Sequence, residues 1–414
     1  MKKNTERKEV LALYVVQFSN LIIPLLSFPY LINILGVDNF GKVGFAQTLL
    51  LIFCFIIDFG FNLSAARYIS TKKSENNSIY STVIIIKLFI YVVLFFFGNF
   101  FVLFSAFNQA DKIIWLLVSF LCFGSVITPN FLFNGLGINS VLAIISLLCR
   151  IFFLIPLFIF VNNSDQYNLA IILQFMPNIL IGLISTIYVI FKLNVNFNFK
   201  YFDFNLAIEQ LNEAFHNFSA SGFTLGFTYA IPLLVKSFLG DAALGIYTIV
   251  ERLLNILKQA YLPLIQAFYS KSCFFYETRD WANYAKILIN VFKIYILIGV
   301  FSLTTNYFIG EEIIGIFITK DINLVDYLSI GIINQIIISI AMIMVNLYII
   351  PIGKGRVLKK IYFFGMIVFL LTFNYMQRSY GLMGVFYSML LVETVITLIM
   401  VYISYVYYRN IIKN

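Results

Sequence analysis

Eight charged side chains lie inside long apolar stretches of this sequence: Asp58, Lys87, Arg150, Glu251, Arg252, Lys258, Lys293 and Glu393. A charge at mid-bilayer costs on the order of 2.5–3.5 kcal/mol by insertion scales, so each needs a partner, water or a ligand. Cations so placed can hold an anion. Carboxylates can pair with those cations, or one can carry a coupling proton or sodium ion. Arg150 and Lys258 sit near the middle of their stretches, which points either to a water-filled cavity or to internal salt bridges. Lys87 and Lys293 lie roughly two turns from a stretch end, where snorkelling to the interface is as good an account as function. Arg252 is nearer the opposite surface.

Spacing groups these residues. Glu251, Asn255 and Lys258 stand at i, i+4 and i+7, one stripe of a helix, with Gln266 two turns beyond. Asn217, Ser221, Thr224 and Thr228 form a second stripe, Gln17, Asn20 and Ser27 a third, and Asp58 and Asn62 pair at i, i+4. Such stripes face a hydrated cavity or a neighbouring helix. Those with formal charges favour the cavity. Cys54, Cys122, Cys149 and Cys273 lack metal or disulfide spacing and read as small packing residues. No metal set is expected. His216 lies at the mouth of a span and has no assigned chemistry.

The elements that hold these side chains follow from composition. Apolar residues make up 61% and charged residues 11%, against about 45–50% and about 25% in soluble domains. Only helices or closed barrels span a bilayer, and apolar runs of about 20 residues without alternation specify helices. Hydropathy windows predict twelve spans near 10–34, 43–66, 79–104, 112–134, 141–161, 168–191, 216–239, 243–269, 286–309, 324–351, 357–376 and 381–407. Most lysines and arginines outside the spans fall on the face carrying both termini, leaving Lys42, Lys112, Lys236, Lys320 and Arg378 opposite. Both termini are therefore expected in the cytoplasm. The basic start runs into an apolar stretch too long for a cleavable leader, so it reads as the first span. The net charge of +9 is mostly this asymmetry, and no nucleic-acid partner is expected. The longest loop is expected near 192–215.

Leu35-Gly36-Val37-Asp38-Asn39-Phe40-Gly41 recurs as Leu239-Gly240-Asp241-Ala242-Ala243-Leu244-Gly245, in each case after a proline-containing span and in a short outer loop. The repeat predicts two lobes of six spans, 1–204 and 205–414, related as parallel repeats around a central cavity, an architecture of transporters. The intramembrane cations outnumber the acids, which favours an anionic amphiphile as cargo, with phosphate the commonest such anion.

The segments PYLxxxLGxxxFG (Pro29 to Gly41) and DFGFNLSAAR (Asp58 to Arg67), with LGDAALGIYTIVERLLNI (Leu239 to Ile256) and LPLIQAFYS (Leu262 to Ser270), resemble the bacterial O-antigen flippases of the Wzx type. These are polysaccharide exporters of the multidrug/oligosaccharidyl-lipid/polysaccharide superfamily. Where that family has an Ala-Glu-Lys-type segment, this chain reads Val250-Glu251-Arg252, keeping acid and base without the small residue. The resemblance implies a two-lobed, MATE-like helical fold in the bacterial inner membrane. It implies a non-enzymatic flippase without cofactor, with possible coupling to a proton or sodium gradient. The cargo would be an undecaprenyl-pyrophosphate-linked oligosaccharide. Membrane lipid and other polysaccharide-assembly membrane proteins are the further partners it suggests. From depth alone, Arg150 and Lys258 are assigned to the diphosphate, and Lys87 and Lys293 to receiving it near the cytoplasm. Asp58, Glu251, Arg252, Asn255 and Glu393 are left as polar or coupling residues of the cavity. Two rivals stand beside this reading. An O-antigen polymerase would need a large outer loop with catalytic groups, and a cation-coupled drug exporter would favour an acid-rich cavity.

Overall fold

The computed structural model describes residues 2–71, 76–105, 107–318 and 324–413; within its helices, the side chains of 2–22, 24, 25, 220, 221, 223–228, 266, 316, 317, 356, 408 and 410–413 lie outside the described set. The described chain is helical: α1 (Lys2–Asp58), α2 (Phe61–Thr71), α3 (Asn76–Phe104), α4 (Gln109–Leu121), α5 (Phe123–Ile127), α6 (Asn130–Leu136), α7 (Asn139–Phe160), α8 (Tyr167–Phe175), α9 (Pro177–Leu193), α10 (Phe204–Glu277), α11 (Trp281–Phe317), α12 (Val325–Ile343) and α13 (Arg356–Lys413). Among these residues, nine helical stretches are long and apolar enough to cross a membrane. Three of them run for 46, 49 and 51 residues, more than double the roughly 20 that one crossing needs. Each contains a glycine at positive φ, namely Gly36, Gly240 and Gly381. Division at these glycines is consistent with the twelve spans read from the sequence.

Gly36 and Gly240 occupy matching places in the sequence repeat, and their backbones match as well. Gly36 has φ 76° and ψ 170°, and Gly240 has φ 84° and ψ −174°. That region of backbone space is essentially restricted to glycine. The repeat is thus a repeated turn that folds one long helix into two spans.

Contacts divide the chain into two compact units, Met1–Leu233 and Leu234–Asn414. In the first, a buried cluster joins Phe61, Ala65 and Ile69 of α2 to Val83 of α3, Phe131 and Phe133 of α6, Val189 of α9 and Ala214 of α10. The loop expected at 192–215 is shorter than its low hydropathy suggested, because α10 starts at Phe204. Asp203 starts this helix by accepting the backbone N–H groups of Asn205 and Leu206 at 2.9 and 3.2 Å. Leu206, Gln210 and Ala214 are buried while Asn205, Glu209 and Asn212 are exposed, so one helical face packs inward although the segment is too polar to register as a span. The preceding connector is pinned to α3, with the Asn198 N–H donating to Ser81 and the Asp203 N–H to Thr82.

In the second unit α12 packs on both α11 and α13. It ends in a π-helical turn, Met344–Ile349. Pro351 follows and offers no N–H, so the Leu347 carbonyl four residues earlier loses its helical partner. The Tyr284 hydroxyl of α11 donates to that carbonyl at 2.8 Å. The Tyr295 hydroxyl of α11 likewise donates to the Tyr261 carbonyl of α10 at 2.6 Å. Tyrosines here join helices through backbone acceptors.

Candidate functional site

The first unit contains a buried charged node. The Lys87 ammonium on α3 is fully buried and lies 2.7 Å from Asp58 Oδ1. It also donates to the Thr128 carbonyl at 3.4 Å, and the Asn62 amide donates to Asp58 Oδ2 at 3.2 Å. Both partners of Lys87 sit at breaks. Asp58 ends α1, where Phe59 and Gly60 take φ 43° and 88° before the helix resumes as α2. Thr128 precedes Pro129, which interrupts the fourth span between α5 and α6. That interruption frees two carbonyls in a layer with little water, where an unsatisfied backbone group costs several kcal/mol. Lys87 takes the Thr128 carbonyl, and the Thr186 hydroxyl of α9 takes that of Ile127 at 2.8 Å. A lysine on an unbroken span thus joins the broken second and fourth spans.

In the second unit the charges gather around Lys258. The Tyr247 and Phe386 rings meet at 5.8 Å, bringing α10 and α13 together. Glu251 follows Tyr247 by one turn and Lys258 by three, and Glu393 follows Phe386 by two. At 1.5 Å rise per residue, Glu251, Glu393 and Lys258 lie about 6, 10 and 16 Å beyond that ring contact. Lys258 is an electrostatic neighbour of both carboxylates, and Arg252 of Glu251. Lys258 is exposed and makes no direct ion pair with either acid among the described residues. Asn255, one turn from Glu251, is also exposed.

The other two assigned cations lie on other helices, α7 and α11. Arg150 is half-buried midway along α7, beside buried Cys149 and exposed Ile151 and Phe152. Lys293 is exposed on one face of α11, in an open groove with Phe292, Ile296, Leu297, Val300 and Phe301. Of the polar stripes, Gln17, Asn20, Ser221, Thr224, Thr228 and Gln266 lie outside the described side chains.

One set of polar contacts was not anticipated from the sequence. The Tyr30 hydroxyl donates to the carbonyls of Phe158 and Val161 at 2.8 and 2.9 Å. The Asn39 amide donates to the Ser164 carbonyl at 2.8 Å, and the Lys42 ammonium lies 4.5 Å above the Tyr167 ring. Tyr30, Asn39 and Lys42 all fall in or beside the PYLxxxLGxxxFG segment. This segment therefore does more than turn the chain: it clamps the turn between α7 and α8, the hairpin of the fifth and sixth spans. The polar residues within this motif were the available signal.

Residues 7–269 match the family model described as polysaccharide biosynthesis protein. The chain belongs to this family. It is 26% identical over 399 residues, 95% of its length and 98% of the relative's, to the "Putative O-antigen transporter" of Shigella dysenteriae. It is 30% identical over 274 residues to the protein of the same name in Escherichia coli strain K12, covering 64% of each. Among solved structures, the inward-facing conformation of a multidrug resistance MATE family transporter of the MOP superfamily matches with a TM-score of 0.71. That match has 13% identity and covers 95% of this chain and 99% of the other. A MATE structure in complex with MaL6 matches at 0.62 and 15% identity, covering 98% and 96%. These structural likenesses establish the fold. The chain is a multi-pass helical membrane protein with MATE-like architecture, as its resemblance to the flippases of that superfamily implied.

Proposed function

We propose that this protein is a lipid-linked oligosaccharide flippase, moving undecaprenyl-pyrophosphate-linked O-antigen or polysaccharide repeat units from the cytoplasmic to the periplasmic leaflet by alternating access. Near-complete overlap with a relative named as an O-antigen transporter carries this reading. The charge pattern supports it, because Arg150 and Lys258 are cations midway along spans, and positive charge at that depth suits a diphosphate. In this scheme Arg150 and Lys258 hold the diphosphate, and Lys293, exposed beside lipid-type side chains, meets the headgroup first. Lys87 joins only when Asp58 releases it. Glu251 and Glu393 are counter-charges for Lys258 when the site holds no cargo, which gives a natural point for coupling to a proton or sodium gradient. Arg252, Asn255 and Asp58 complete the polar lining. The lobes 1–204 and 205–414 are the moving bodies, both termini are cytoplasmic, and the bacterial inner membrane is the setting. No bond is made or broken, so the protein is not an enzyme. A cation-coupled drug exporter with the same fold would be expected to bury more acid than base, the reverse of this chain.

The test is complementation of a strain lacking the gene, with Arg150→Ala and Lys258→Ala scored for surface polysaccharide and for protein in the membrane fraction. Loss of polysaccharide with normal insertion is the expected result. Normal polysaccharide from both variants would rule out these cation roles, and an unchanged leaflet distribution of lipid-linked repeats in the deletion strain would rule out the function.

A further inference from the structure

The break in the second span has an occupant. The Phe218 ring of α10 stacks on Phe55 at 4.7 Å and 18°, and on Phe59 at 4.9 Å and 20°. Phe215 approaches Phe59 at 6.3 Å. At Gly60 the two backbones nearly touch. A Cβ there would lie 2.5 Å from the Ala214 carbonyl oxygen and 3.0 Å from the Phe218 nitrogen. The cytoplasmic part of the seventh span therefore lies in a notch that exists because Phe59 and Gly60 leave helical geometry. It belongs to the first compact unit, and the chain passes into the second unit further along the same helix, after Leu233.

The notch is not a conformation the second span would hold alone. Phenylalanine at φ 43° is disfavoured by contact of its side chain with the backbone, and such geometry persists only where the surroundings enforce it. Two things enforce it here. The Asp58–Lys87 pair fixes the last residue before the break, and residues 214–218 fill the space after it. The strained dihedral and the docking of the seventh span therefore stand or fall together, and this coupling defines an element with two discrete states. Flat ring faces and bare backbone make the contact, with no hydrogen bond between the two segments among the described residues.

We propose that the Phe59–Gly60 break is a seat on which the cytoplasmic half of the seventh span docks and from which it lifts during the transport cycle, the second span relaxing toward a continuous helix as it does so. This proposal rests on the reading of the chain as a transporter, and its first measurement needs no cargo. Spin labels are placed at Leu63→Cys and Asn212→Cys, both exposed, in protein reconstituted in lipid bilayers with Cys54, Cys122, Cys149 and Cys273 replaced. Two distance populations are expected, the shorter one matching the docked arrangement. Gly60→Ala should abolish the shorter population. Gly137→Ala should leave both unchanged, because Gly137 also has positive φ, 70°, but nothing within 4 Å of an added Cβ. A single population in the parent protein, or the same two in Gly60→Ala, overturns the seat. In cells, a Phe55→Cys/Phe218→Cys pair should stop polysaccharide export when oxidised and restore it when reduced. Full export by the oxidised protein overturns the lifting step. If the parent protein restores no polysaccharide at all, the proposed cargo fails while the distance measurement still decides the seat.

Discussion

Lys87 and Asp58, 29 residues apart on neighbouring spans, form an ion pair of 2.7 Å in which the lysine is wholly buried and the carboxylate is 23% exposed. Removing one member of a buried pair leaves a charge with no compensation, at a cost of about 3–5 kcal/mol. Lys87→Met is expected to destabilise the protein by that amount in denaturant titrations of the purified protein. The double variant Lys87→Met/Asp58→Leu should recover much of the loss. A double variant as unstable as the sum of the single ones would mean that the two residues do not act as a unit.

The glycine turns give a prediction of opposite signs. Gly240 holds a glycine-only conformation with open space where a Cβ would be, so Gly240→Ala has only backbone strain against it, about 1–3 kcal/mol. Gly315 also has open space, yet lies in helix without positive φ. There alanine should stabilise by about 0.5–1 kcal/mol, since it restricts the unfolded chain without strain. Thermal unfolding of both variants beside the parent checks the two directions.

The clamp on the α7–α8 hairpin should be visible locally. Tyr30→Phe removes a hydroxyl that serves two carbonyls, worth about 0.5–1.5 kcal/mol. Faster amide hydrogen exchange across residues 158–166, with the rest of the chain unchanged, is the expected outcome. Uniform acceleration would mean that the contact supports the whole fold instead.

If Lys258 holds a diphosphate, charge at that position matters more than shape. Lys258→Arg should retain a substantial fraction of polysaccharide export and Lys258→Gln should lose it, at equal amounts of protein in the membrane. Equal loss in both would indicate a packing role.

The spans were legible because the solvent that surrounds them selects for long apolar runs, and α3, α7 and α12 start within about three residues of their expected positions. The Asp58–Asn62 pairing at i, i+4 is present too, although the helix breaks between those residues, so helical spacing found the pair without describing the backbone under it. The start of α10 was missed because a surface helix docking on a protein core needs apolar residues on one face only, and a hydropathy window averages all faces. The partner of Lys87 could not be read from the sequence. An i, i+4 rule reaches one turn, whereas Asp58 and Thr128 come to Lys87 from two other spans. Arg150 and Lys258 were assigned from depth, and depth does not say which neighbours a side chain meets.

The Lys87 node also bears on how the chain enters the membrane. During synthesis the third span emerges before Thr128, so the lysine's first available counter-charge is Asp58 on the span just ahead of it. The second and third spans can then leave the translocon as one electrically neutral hairpin, with the lysine already compensated. A variant lacking Asp58 would present that lysine to the insertion machinery alone, and its defect should show first as retained or inverted topology of the third span, before any question of what the mature protein carries.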